Sequence, residues 1–91
     1  METAYKVSIR GRVTGVGFRY STFIKSSEFP SLKGYVSNVA HGEVEVFVQG
    51  EEEEVDQMLA WLKEGPRFSR VDQFECVKAN LDSSLSEFTI M

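Results

Sequence analysis

The segment GRVTGVGFR, at residues 11–19, places three glycines within seven positions and ends on an arginine. It lies between a strand-like pattern and a helix-like pattern. Glycine adopts left-handed backbone dihedrals and lets a ligand approach the main chain closely. Backbone N–H groups at a helix N-terminus have no intrahelical acceptor, and several of them can converge on an anion. The segment therefore predicts an anion-binding loop, with an ordinary tight turn as the alternative.

Arg19 ends this loop. A cation in the first turn of a helix faces the positive end of the helix dipole, which is unfavourable. A phosphate bound between the dipole and the guanidinium would remove the conflict, because the planar guanidinium can donate to two oxygens at once. A solvated surface arginine is the alternative. The loop is not a Walker motif, since no Gly-Lys-Ser/Thr follows, and it lacks the spacing of a dinucleotide-binding fold.

Asn38 is the second candidate, because asparagine is disfavoured in strands and this one follows Val36 in a strand-like segment. It is either a polar residue that satisfies backbone groups near a turn or an amide that holds a water molecule opposite the anion site.

His41 is predicted to be solvated in a turn, and Cys76 to be a small core residue. The run Glu51–Glu54 is predicted to be a solvated helix start rather than a metal site, because consecutive helical residues point in different directions.

Hydrophobic periodicity predicts the elements that position these groups. Strand-like patterns span residues 5–13, 34–40, 43–49, 70–79 and 87–90, and the turn His41-Gly42 joins two of them as a hairpin. Apolar residues at helical spacing predict one helix over about Arg19–Glu28 and another that begins with the glutamate run and ends at Gly65-Pro66. The first stripe consists of Tyr20, Phe23, Ile24 and Ser27, and the second of Val55, Met58, Leu59 and Leu62.

The order β-α-β-β-α-β with a terminal strand predicts an α+β fold of the ferredoxin-like, split β-α-β type. Two helices would cover one face of an antiparallel sheet, and the other face would be open to water. No repeat, linker or low-complexity segment interrupts the chain, so one domain is expected over residues 1–91.

The chain is acidic, with a formal net charge of −4, which argues against nucleic acid or an anionic membrane as a partner. An RNA-binding ferredoxin-like domain would need basic and aromatic motifs on its central strands, and EVEVFVQ at residues 43–49 does not supply them. A single cysteine excludes an internal disulfide, and the N-terminus has no apolar signal-peptide segment. We therefore expect a cytoplasmic monomer.

The sequence also resembles the acylphosphatases along nearly its whole length. The matching segments are VSIRGRVTGVGFRYSTFIKS, LKGYVSNVAHGEVEVFVQG, GPRFSRVDQF and the terminal EFTI. The resemblance implies a sandwich with a five-stranded antiparallel sheet. It implies hydrolysis of the carboxyl-phosphate bond of small-molecule acyl phosphates to a carboxylate and inorganic phosphate, without a metal or other cofactor. Tyr35, Ser37 and His41 depart from the residues that are more usual in that family.

The resemblance further implies roles for individual residues. Asn38 would position the attacking water, and the phosphoryl group would be bound by Thr14, Gly15, Val16, Gly17, Phe18 and Arg19. A carboxylate leaving group, with a pKa of about 4, needs little protonation, so no catalytic His/Asp or Cys/His arrangement is required. Positioning and charge stabilisation would suffice, and inorganic phosphate would be both product and competing ligand.

The main alternative is a binding module without turnover, in which the same pocket holds a phosphorylated ligand or carbamoyl phosphate. Acylphosphatase-like domains also begin larger hydrogenase-maturation proteins. The chain ends soon after its last predicted strand, which favours the enzyme.

Overall fold

Five strands and two helices form in the order that the sequence predicts. The computed structural model describes residues 1–91, and the element bounds lie within three residues of the predicted ones. The elements are β1 (Glu2–Arg12), α1 (Phe18–Ser26), β2 (Lys33–Ala40), β3 (Glu43–Glu51), α2 (Glu52–Glu64), β4 (Arg70–Lys78) and β5 (Phe88–Ile90).

The strands form one sheet in the order β4-β1-β3-β2-β5. Neighbouring strands are antiparallel except at one edge, where β5 runs parallel to β2. The prediction of a wholly antiparallel sheet is therefore wrong for β5, and the sheet is mixed. β4 ends at Lys78, opposite Tyr5, at the same end of the sheet where β2 begins. A short connection across that end brings the chain into β5 in the direction of β2.

Gln49 fixes that connection. Its Nε2 donates a hydrogen bond of 2.9 Å to the carbonyl oxygen of Asp82, and its Oε1 accepts one of 2.7 Å from the Asp82 amide. Gln49 is itself buried near the end of β3, where a side-chain amide needs such partners. The path of the chain into β5 is thus set by a buried amide rather than by apolar packing alone.

The core lies between the two helices and one face of the sheet, as the sequence predicts. Its fully buried residues include Val44, Val46 and Val48 of β3 and Val55 and Met58 of α2. Burial of such side chains supplies most of the driving force for folding. The scaffold that carries the loop is therefore anchored on the central strands.

The opposite face of the sheet is open, and Phe47 stacks there on Tyr35 with ring centroids 6.0 Å apart. The Tyr35 hydroxyl donates to Glu45 Oε2 at 2.6 Å. Partial burial, with this hydrogen bond as the second cause, raises the pKa of Tyr35 to about 12. Tyr35 therefore stays neutral at ordinary pH and belongs to the sheet surface.

Helix α1 buries a different face from the one that its apolar residues suggest. Its buried residues are Phe18, Thr22 and Ser26, whereas Tyr20 is 64% exposed and Ile24 is 47% exposed. The buried hydroxyls are satisfied within the helix: Thr22 donates to the Phe18 carbonyl at 2.8 Å and Ser26 to the Phe23 carbonyl at 2.6 Å. A second prediction also fails, because Cys76 lies on the edge strand β4 and is exposed.

Candidate active site

The loop between β1 and α1 turns on two glycines in the left-handed region. Gly15 has φ 74°, and Gly17, the N-cap of α1, has φ 74° and ψ 20°. A Cβ atom at either position would meet no atom within 4 Å. Backbone conformation, and not space, therefore requires glycine here, since left-handed dihedrals are costly for other L-residues.

The backbone N–H groups of residues 14–20 donate to no acceptor in the chain. The first bond of helical type runs from the Ser21 amide to the Gly17 carbonyl at 2.9 Å. The first turn of α1 contains no acidic residue, and Gly17 provides no side-chain cap. Free N–H groups at a helix start carry partial positive charge and attract anions. The loop thus offers a run of donors that the protein itself does not use.

The side chains of Thr14 and Val16 hold the loop in place and do not line the cleft described below. The Gly42 amide donates to Thr14 Oγ1 at 2.8 Å, and the Gly11 amide donates to the Gly42 carbonyl at 3.0 Å. Val16 packs against the core. The hairpin turn is thereby tied to the loop, and this contact places the end of β2 beside the loop.

A cleft of about 220 Å³ lies where the loop, the start of α1, β2 and β5 meet. It brings together five residues that the sequence analysis selected: Gly15, Gly17, Phe18, Arg19 and Asn38. The other lining residues are Val13, Tyr20 and Ile90.

Tyr20 and Ile90 line the cleft although neither was predicted to lie at the site. Tyr20 looked like part of a helical apolar stripe. Ile90 reaches the cleft only because β5 pairs with β2, where Ile90 lies opposite Val36. That parallel pairing left no signal in the sequence of the last strand.

Arg19 and Asn38 keep polar groups free within this cleft. Arg19 Nη1 donates to the main-chain oxygen of Met91 at 3.0 Å, and its other guanidinium donors have no acceptor in the chain. Asn38 is exposed, and its side-chain amide makes no hydrogen bond to the protein. Both residues can therefore bind a ligand or a water without breaking an existing side-chain contact, apart from the single Arg19 bond.

The weaker candidates lie elsewhere. His41 is exposed, as predicted. The Glu51–Glu54 run lies at the end of the sheet where β1 begins, and the Glu54 carboxylate accepts hydrogen bonds from the amide and hydroxyl of Ser31. No three His, Cys, Asp or Glu side chains come together as a metal site would require. Neither helix has the length and apolar composition of a membrane span.

The family model described as Acylphosphatase matches residues 5–90. This chain belongs to the acylphosphatase family. An acylphosphatase of Burkholderia vietnamiensis is 37% identical over 84 residues, which are 92% of this chain and 85% of that protein. The structure of an acylphosphatase from Coxiella burnetii superposes with a TM-score of 0.91 at 33% identity, over 99% of this chain and 93% of that one.

The acylphosphatase fold also occurs inside a larger protein. A structure of full-length HypF in the phosphate- and nucleotide-bound form matches with a TM-score of 0.84 at 26% identity, and this chain covers 12% of it. The family resemblance and the ferredoxin-like fold are thus confirmed. The roles assigned to the loop, Arg19 and Asn38 stay predictions.

Proposed function

We propose that this member of the acylphosphatase family hydrolyses the carboxyl-phosphate bond of acyl phosphates by in-line attack of water, without a metal ion. The observation that supports this most directly is a single cleft with three features: the unpaired amides of Gly15, Gly17, Phe18 and Arg19, the free guanidinium donors of Arg19 and the exposed amide of Asn38. Their juxtaposition matches what phosphoryl transfer demands, namely positioned donors around a tetrahedral anion.

In this proposal the loop and Arg19 bind the phosphoryl group. The amides of Gly15 to Arg19 would donate to its nonbridging oxygens, and Arg19 would add a charged, forked pair of donors. These donors are fixed before the substrate arrives, so they stabilise the charge that grows in the transition state without reorganising. Thr14 would contribute through its backbone and through its bond to Gly42.

Asn38 would hold the attacking water in line with the leaving oxygen. As the water oxygen bonds to phosphorus, the bond from phosphorus to the carboxyl oxygen breaks, and the carboxylate leaves with the electron pair. A phosphoryl oxygen accepts the proton of the water. The leaving carboxylate is a weak base, with a pKa of about 4 in Asp- or Glu-like acids, so no general acid is needed.

The decisive experiment is hydrolysis of benzoyl phosphate, measured with and without inorganic phosphate. We expect turnover and competitive inhibition by phosphate, and we expect the rate to persist after treatment with EDTA. A requirement for added metal would overturn the metal-free mechanism. If the protein binds phosphate but hydrolyses no benzoyl phosphate, the proposal that it is an enzyme is wrong.

That last outcome would favour the second candidate, a binding module that holds a phosphorylated ligand without turnover. The observation that favours this alternative is the match to one part of HypF, a protein whose structure contains phosphate and a nucleotide. The same assay separates the two candidates, because a binding module would bind inorganic phosphate but would release no carboxylate from benzoyl phosphate.

The protein is further proposed to act as a monomer in the cytoplasm. Residues of one chain line the whole cleft, so no second copy is needed to complete it. The single cysteine is compatible with a reducing compartment. Sedimentation equilibrium should give the mass of one chain.

A further inference from the structure

Tyr20 and Ile90 form a part of the cleft wall that phosphoryl chemistry does not use. Tyr20 comes directly after Arg19 in the first turn of α1, and Ile90 lies on β5. Both are substantially exposed, at 64% and 41%. They therefore present apolar surface to whatever enters the cleft beside the anion.

The cleft is larger than a phosphoryl group. Its volume of about 220 Å³ leaves room for several water molecules beside an anion. A phosphoryl group contributes only a few oxygens to that space. The rest of a substrate therefore has room beside the remaining wall, and Tyr20 and Ile90 are the exposed apolar members of that wall.

Hydrogen bonds tie this apolar wall to the anion site. The Met91 amide donates to the Val36 carbonyl at 2.8 Å, which holds the end of β5 on β2. Arg19 Nη1 donates to the main-chain oxygen of Met91 at 3.0 Å. The side chain before Met91, that of Ile90, is thereby held at a set position relative to the guanidinium that would grip the phosphate.

The apolar surface continues beyond Tyr20. A neighbouring groove of about 350 Å³ is lined by three aromatic or apolar residues, Tyr20, Ile24 and Trp61, and by the polar residues Ser21, Lys25 and Glu28. Tyr20 is the residue that the cleft and this groove share. An acyl group longer than the cleft can therefore extend over Tyr20 along α1, where Ile24 and Trp61 offer further apolar contacts.

We infer that Tyr20 and Ile90 bind the acyl group of the substrate and select acyl phosphates whose acyl part is aromatic or alkyl over short or charged ones. This inference rests on the proposed function. The contact forms in the ground state and in the transition state alike, so its loss should raise KM and leave kcat nearly unchanged.

The test compares benzoyl phosphate with acetyl phosphate. Tyr20→Ala should lower kcat/KM for benzoyl phosphate by about 3- to 10-fold, the range expected for one aromatic contact, and should change acetyl phosphate by less than about 2-fold. Tyr20→Phe should restore the preference. Phe68→Ala removes another exposed aromatic that lies outside the cleft, and it should change neither substrate. An equal loss for both substrates in Tyr20→Ala would overturn the inference.

A binding measurement separates this inference from the proposed function. Benzylphosphonate and methylphosphonate cannot be hydrolysed, so their affinities can be measured by calorimetry. The wild type should bind benzylphosphonate more tightly than methylphosphonate, whereas Tyr20→Ala and Ile90→Ala should bind the two with similar affinity. That result supports the acyl subsite even if no acyl phosphate is turned over. Equal affinities in the wild type would overturn the subsite, even with turnover intact.

Discussion

The guanidinium donors of Arg19 are divided between Met91 and the cleft. One Nη1–H donates to the main-chain oxygen of Met91, and the remaining donors face the cleft. The guanidinium is therefore braced by β5 on one side while it stays available to an anion on the other. A lysine could supply the charge but not this planar fork.

Arg19→Ala should abolish most turnover while the domain stays folded. Loss of one transition-state donor costs roughly 10²- to 10³-fold in rate, and a charged, forked one costs more. The lost bond to Met91 should lower the unfolding free energy by only about 1 kcal/mol. Phosphate titration and thermal unfolding measure the two effects. Arg19→Lys should recover part of the phosphate affinity, and full activity in Arg19→Ala would remove this residue from the mechanism.

Asn38→Ala should separate binding from chemistry. Asn38 is exposed and has no side-chain partner in the protein, so its truncation should not affect folding. Phosphate affinity should stay within about 2-fold, while kcat falls by roughly 10²-fold, as for a lost positioning contact. Val39→Ala, the next residue and also exposed, is the matched control. Hydrolysis of benzoyl phosphate by Asn38→Ala at the parent rate would mean that another group orients the water.

At the scale of elements, the loop conformation depends on Gly17, where β1 has ended and α1 begins. Gly17→Ala should lower the unfolding free energy by about 1–2 kcal/mol, the cost of a left-handed L-residue. Because the added Cβ meets no atom, this cost comes from the backbone and not from a clash. Gly17→Asn, which tolerates the left-handed region, should lose less stability in the same denaturant titration. An unchanged stability in Gly17→Ala would mean that the loop does not need its observed φ.

The sequence predicts elements well where one physical rule dominates. The alternation of Val44, Val46 and Val48 indicated a half-buried strand, and the glycines before Arg19 indicated a loop between a strand and a helix. The face of α1 was not predictable, because Thr22 and Ser26 are buried only by virtue of hydrogen bonds made within the helix. The place of Ile90 depends on which edge β5 joins. That choice is set by long-range pairing and by the Gln49–Asp82 bonds, which leave no local pattern.

At the scale of the whole molecule, charge is separated along the sheet. Every arginine lies at the end that carries the loop: Arg10, Arg12, Arg19, Arg67 and Arg70. Two of them are ion-paired, Arg10 with Glu43 at 3.4 Å and Arg70 with Asp72 at 2.9 Å. The glutamates that start α2 lie at the other end. Although the net charge of the chain is −4, the end of the sheet that carries the loop is positive, and this end would face an anionic ligand.

This separation predicts that kcat/KM falls as salt is raised. Arg12→Gln should lower kcat/KM by about 2- to 4-fold at low salt, since a unit charge roughly 10 Å from a dianion contributes under ~1 kcal/mol in water. At an ionic strength of about 1 M, where the Debye length is ~3 Å, the difference should vanish. Lys33→Gln makes the same charge change at the opposite end and should have no effect. Equal losses in both variants would show that net charge, and not its placement, matters.

The edge strand β5 joins β2 through only three paired residues, and Phe88 is its one buried side chain. It nevertheless carries Ile90 and leads to Met91, whose main-chain oxygen accepts the hydrogen bond from Arg19. A short edge strand can detach at a smaller free energy than the central strands require. On warming, the protein should therefore lose catalytic activity reversibly at temperatures below its global unfolding, while the valine core is still intact.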